Sequence, residues 1–245
     1  PEKSPWPDAL QAEFQDVEIG LCRTRACVGE VSAVSEIEEL FLAHFARAKR
    51  FIYIENQYFT SRKIAEAIAR RLSEPDPPEI VIVHPRHADG WLEQQAMDHA
   101  RDLVAEAVEA ADARDRFEVY VPYTGETPIY VHAKLMIVDD EVLRIGSANL
   151  NNRSLGLDSE CDTVLDATRP HNSGRGLEDK IQAIRISLLA EHCGVPEDEM
   201  QAALDEHGTM QGAIAALGSE GRRTLRPYVP PTKTEFEEWL AESGM

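Results

Sequence analysis

Apolar residues recur along this chain in two rhythms, one of helical and one of strand period. Ile37, Leu40, Phe41 and Phe45 fall three to four residues apart and place one stripe on a helix reaching about residue 49. Ser35 followed by Glu38 has the spacing of a capping box at its start. Residues 51–54 read as a short strand, 63–72 as a helix, and 79–83 as a buried strand closed by Pro85. Asp89 is placed to cap a long helix to about residue 113, and 117–121 is the next strand. A hairpin follows, with an apolar run over 130–138, a turn at Asp139-Asp140-Glu141 and a return over 142–145. Further strands are expected at 17–22 and 159–165. Strands interleaved with helices predict an α/β fold, a mixed β-sheet flanked by helices on both faces. After Arg169 a turn-rich stretch leads to a helix ending near residue 192, two short helical patterns at 197–206 and 209–217, and a Pro-rich tail. The expected organisation is a main unit over 1–170 with a C-terminal helical extension and tail over 171–245 packed on it.

Charge narrows the set of partners. Forty-four acidic residues against 25 basic give a formal net charge of −19, which repels nucleic-acid backbones, so nucleic acid is not an expected partner. No apolar run approaches the ~18–20 residues of a spanning helix and no signal-peptide pattern is present, so a cytoplasmic or peripheral-membrane place is expected. The chain opens at Pro1 and reads as an excised segment. Cys22, Cys27, Cys161 and Cys193 are scattered and are expected as buried free thiols. His84 and His87 have no further ligand at standard spacing, so no metal site is expected there. His44 falls on an apolar stripe, His192 near a helix C-terminus, and Trp91 is expected in the core rather than at a lipid-facing rim.

One stretch carries chemistry. His132-Ala133-Lys134 is followed by Asp139 and then by Gly146-Ser147-Ala148-Asn149. Strand alternation puts His132 and Lys134 on one face, with Val131, Ala133, Leu135 and Ile137 on the other. Gly146 lets the backbone approach closely, so that Ser147 and Asn149 reach the same patch. An imidazole able to act as nucleophile or proton donor, a fixed ammonium and two neutral donors suit reaction at a phosphate diester. Asp139, at a turn, is expected to organise local backbone.

This constellation resembles the signature of the phospholipase D superfamily. Residues 146–160 (GSANLNNRSLGLDSE), 52–59 (IYIENQYF) and 184–192 (IRISLLAEH) are also similar to segments of the C-terminal half of two-motif bacterial phospholipases D, extending the resemblance over about residues 15–195. It implies that residues 1–170 are one catalytic half and that the reaction cleaves or exchanges phosphatidyl head groups through a phosphohistidine, without metal or cofactor. It implies a phospholipid or other phosphodiester substrate, with contact at a membrane surface. It also implies an N-terminal motif-bearing half, or a second copy, as partner. By the same resemblance Glu160 hydrogen-bonds His132, and Glu55, Asn56 and Gln57 line the site's mouth. The histidine of this half is more often assigned as acid/base than as nucleophile. Only one His-x-Lys is present, so the chain alone is expected to be an inactive half. Two other readings stay open: a single-motif phosphodiesterase or nuclease completed by a symmetric dimer, and a non-catalytic module, against which the intact motif argues.

Overall fold

A computed structural model describes residues 7, 10–86, 108, 110–217 and 223–229. At its centre β3 (Phe51–Asn56) and β4 (Glu79–Val83) are buried at every position, as strands covered on both faces must be. Around them lie β1 (Ile19–Arg25), β2 (Val34–Ser35), β5 (Phe117–Thr124), β6 (Thr127–Pro128), β7 (Lys134–Val138), β8 (Val142–Gly146), β9 (Glu160–Asp166) and β10 (Arg223–Pro227). The described strands form one mixed sheet in the order β10-β5-β4-β3-β7-β8-β9-β1-β2, with β6 beside β5. β3, β4 and β5 pair in parallel and the remaining pairings are antiparallel.

Helices cover both faces, as the pattern predicts. On one side α1 (Glu36–Arg47), α2 (Arg62–Leu72) and the short α3 (Asn152–Gly156) bury Ile37, Phe41, Phe45, Ile64, Ile68 and Leu155 against Ile52, Ile54, Met136 and Val138. On the other, α4 (Leu177–Cys193), α5 (Glu197–His207) and α6 (Met210–Leu217) bury Leu177, Ile181, Leu189, Met200 and Ile214 against Tyr53, Val81 and Ile137. Residues beyond 170 therefore supply one of the two helical layers, and β10 extends the sheet at its edge.

Buried ionic and capping contacts hold the layers in register. Asp139 accepts the backbone N–H groups of Lys49, Arg50 and Phe51 at 2.8, 2.8 and 2.9 Å, tying the loop after α1 to the β7–β8 turn. Asp139 and Asp140 both have φ of 56°, a region aspartate tolerates better than most side chains. Arg185 of α4 grips Asp140 with two bonds of 2.8 and 2.7 Å while lying over the Phe51 ring. Glu79 accepts from the N–H groups of Met210 and Gln211 at 2.9 and 2.7 Å, capping α6 from β4.

Several local expectations are corrected. Ser35 belongs to β2 and makes no side-chain capping bond; Glu38 pairs with Lys63 at 2.6 Å instead. β7 begins at Lys134 rather than 130, because its neighbour β3 ends at Asn56, directly opposite, leaving no ladder partner for the residues before it. Both faces of β7 are buried further along, since Met136 and Val138 follow Lys134 into the α1–α2 core. The tail contains β10, whose proline sits on an edge strand where a missing donor is tolerated. Of the thiols only Cys193 is buried; Cys22 is half-buried, and Cys27 and Cys161 are exposed. Asp89, His87, Trp91, most of the helix expected to residue 113 and the tail from 230 lie outside the described residues.

Candidate active site

The site forms where strand ends meet. Asn56, the last residue of β3, lies opposite Lys134, the first of β7. Across the sheet Gly146 ends β8 opposite Asp162. A Cβ at position 146 would fall 1.8 Å from Asp162 Oδ1, so only glycine fits. Asp162 is fully buried, and its Oδ1 accepts the N–H groups of Ser147 and Ala148 at 3.0 and 3.2 Å. Its Oδ2 accepts Arg144 Nε at 2.8 Å and Arg144 Nη2. Arg144 Nη2 also donates to the Ala148 carbonyl at 3.0 Å, and the guanidinium lies 4.3 Å from the centre of the Phe41 ring. From β3, Asn56 Oδ1 accepts Leu150 N–H at 3.1 Å. The Gly-Ser-Ala-Asn turn is thereby clamped from two sides.

On this base a small polar cluster stands. Lys134 Nζ donates to Gln57 Oε1 and to the His132 carbonyl, both at 2.9 Å. Asn149 Nδ2 approaches the same Gln57 oxygen at 3.5 Å, and Gln57 Nε2 donates to the Tyr130 hydroxyl at 2.6 Å. The Tyr130 and His132 rings are near parallel, with centroids 6.4 Å apart. His132 is exposed, and its imidazole makes no hydrogen bond among the described residues. Partial burial pulls the Lys134 ammonium down to about 8, with Glu160 opposing the shift and Arg144 adding to it. A half-buried ammonium, a carboxamide N–H₂ and a phenol beside an open imidazole form a cradle for an oxyanion.

The structure brings His132, Lys134, Asn149 and Gln57 together, and it separates other expected members. Glu160 does not bond His132: its Oε2 accepts the Ser147 hydroxyl, whose oxygen in turn accepts Cys161 N–H at 3.0 Å. The β8–β9 register sets Glu160 beside Ser147, whereas His132 lies ahead of the start of β7. Glu55 does not line the mouth. It sits on the α4 side of the sheet, accepting Tyr53 Oη–H at 2.7 Å, with His192 Nε2 3.1 Å away. Asn56 is wholly buried and acts on the turn; of the three strand-end residues only Gln57 reaches the cluster.

Tyr130, Arg144 and Asp162 are site residues that sequence reasoning missed. The available signal was a lone charge at an inward position on each of two adjacent strands, with Arg144 amid Val142-Leu143 and Ile145, and Asp162 two residues after Glu160. His84 Nδ1 lies 2.6 Å from its neighbour's carbonyl, Pro85 O, and His87 is outside the described residues.

A mixed sheet between two helical layers, with a cluster of cationic and neutral donors where its strands end, defines an α/β class of protein. The chain belongs to the phospholipase D family, whose pattern, Phospholipase D, matches residues 92–230. It is 25% identical over 248 aligned positions to phospholipase D delta of Arabidopsis thaliana, an alignment covering 77% of this chain and 28% of that protein. It is 27% identical over 230 positions to phospholipase D alpha 2 of Oryza sativa subsp. japonica, covering 66% and 28%. The chain thus spans 28% of the length of these curated relatives. Among solved structures, it resembles a phosphatidylserine synthase of Haemophilus influenzae with a TM-score of 0.49 and 19% identity, over 67% of this chain and 37% of that one. Nuc, a phospholipase D family member of Salmonella typhimurium, gives 0.46 and 16%, over 67% and 90%.

Proposed function

We propose that this chain is the C-terminal, single-motif half of a phospholipase D-type phosphodiesterase that cleaves or exchanges phosphatidyl head groups. The observation carrying this reading is the cluster in which Lys134 Nζ and Asn149 Nδ2 converge on Gln57 Oε1 while Lys134 also holds the carbonyl of the exposed His132. In the first step a histidine nitrogen bonds to phosphorus, the bond from phosphorus to the head-group oxygen breaks, and a second histidine gives that oxygen a proton. In the second step water or an alcohol, deprotonated by the second histidine, attacks phosphorus and the first imidazole departs. His132 takes the acid/base part, and the nucleophile comes from an N-terminal motif-bearing half or a second copy. Lys134 and Asn149 hold the non-bridging oxygens, whose charge grows at the transition state. Ser147, whose hydroxyl donates to Glu160, turns to join them when a phosphate binds.

Apolar side chains left exposed on the sheet support a missing half. Ile145 of β8 and Leu21 of β1, in one row through the exposed Thr163, are 49% and 64% exposed and leave surface that a second half would cover. No described helix is long and apolar enough to cross a membrane, and a phospholipid substrate would bring the protein to a membrane surface as a peripheral visitor.

The test is head-group release from phosphatidylcholine vesicles by the complete protein, beside cleavage of linear DNA. Release from the lipid, undiminished by a chelator, is the expected result. Cleavage of DNA with none of the lipid would refute the phospholipid reading.

A further inference from the structure

We propose that the Tyr130 hydroxyl is a further substrate-binding group of this site, donating a hydrogen bond to a non-bridging oxygen of the phosphodiester. The inference rests on the phosphodiesterase reading above and follows from counting protons. An ammonium has only donors, so the Gln57 atom 2.9 Å from Lys134 Nζ must be the carboxamide oxygen. The nearby Asn149 Nδ2 agrees with that orientation. The other end of the carboxamide is then the N–H₂ group, which meets the Tyr130 oxygen at 2.6 Å. That oxygen is an acceptor in this contact, and its own proton is left to give away.

No described residue takes that proton. Tyr130 is 42% exposed, so the hydroxyl is not sealed in the core. The ring lies within 21° of the plane of the His132 imidazole, 6.4 Å between centroids, which sets the phenol at the side of the reacting group. A hydroxyl that accepts from an amide already polarised by Lys134 is a stronger donor than an isolated one. An anionic oxygen is the partner this arrangement suits. The phenol keeps its proton throughout; it binds and does not transfer.

Tyr130→Phe in the complete protein removes the donor and keeps the ring against His132. A hydrogen bond to a charged oxygen predicts a loss of roughly 10- to 100-fold in kcat/KM. The loss should be equal for phosphatidylcholine and for bis(p-nitrophenyl) phosphate, which share only the phosphodiester. Inorganic phosphate, titrated calorimetrically, should bind about tenfold more weakly to the variant, with the melting temperature unchanged. Phosphate affinity and turnover within twofold of wild type would overturn the proposal. So would a loss confined to phosphatidylcholine, which would put the hydroxyl at the head group, or a wild-type protein that binds no phosphate. The His132→Ala variant separates the two claims. If it turns over diesters like wild type, the assignment of the chemistry to His132 fails, while phosphate affinity still decides for Tyr130.

Discussion

Removing Asp162 should cost this fold far more than an ordinary side chain does. Its carboxylate and the Arg144 guanidinium are both wholly buried, and burial already pulls the Arg144 pKa down against the support of Asp162. Asp162→Ala leaves an uncompensated cation in the α1 core and removes the acceptor of Ser147 and Ala148 N–H. Breaking such a buried pair costs about 3–5 kcal/mol. Arg144→Leu with Asp162→Ala removes the stranded charge and restores apolar packing against Phe41, but the two turn amides still lack their acceptor. The double variant should therefore regain most of the loss and keep a deficit of about 1–3 kcal/mol. Urea unfolding of the 245-residue chain reads both numbers, and phosphate binding reads the turn separately. Phosphate affinity should stay low in the double variant even as stability returns, because Ser147 and Asn149 sit on the released turn. A single variant destabilised by less than ~1 kcal/mol, or a double variant with wild-type phosphate affinity, would refute this account of the clamp.

Three further outcomes follow from the site and core. Lys134, lowered to about 8 by burial, is charged below that pH and neutral above it. The kcat/KM of the complete enzyme should fall as pH rises through about 8, and Lys134→Arg should move that fall upward; an unmoved limb would assign it to another group. His44 is held down to about 4, first by burial and then by Arg47, with Asp166 opposing. The unfolded chain takes up that proton near 6.5, so stability should drop by up to ~3 kcal/mol from this group as pH falls from about 6.5 to 4. His44→Leu should show a shallower slope in that window by urea titration, and an unchanged slope would count against it. Gly146→Ala forces a methyl onto Asp162 and should destabilise the chain by roughly 1–3 kcal/mol with loss of phosphate binding.

The layered sheet was legible because its apolar periods are strong. The stripe from Ile37 to Phe45 and the runs at 51–54 and 79–83 each bury a continuous face, and no local feature competes with them. Boundaries set by partners were not legible. β7 starts at Lys134 because β3 ends opposite it, and β10 exists because β5 offers an edge; neither fact is local to the strand concerned. The site divided along the same line. His132, Lys134 and Asn149 have chemistry written in their types and spacing. The polar atoms that orient them, on Gln57, Tyr130, Arg144 and Asp162, depend on register between strands. Glu160 shows the reverse error, since its place beside Ser147 comes from the β8–β9 register and outweighs the role the family resemblance implied.

The central claim is that His132 does chemistry rather than packing, and it meets its most direct test in phosphatidylcholine turnover by the complete protein carrying His132→Ala. An exposed imidazole with no hydrogen bond among the described residues contributes little to folding. The account predicts a fall of several orders of magnitude in kcat with an unchanged melting curve. Turnover near the wild-type rate, with that same melting curve, would place the chemistry elsewhere.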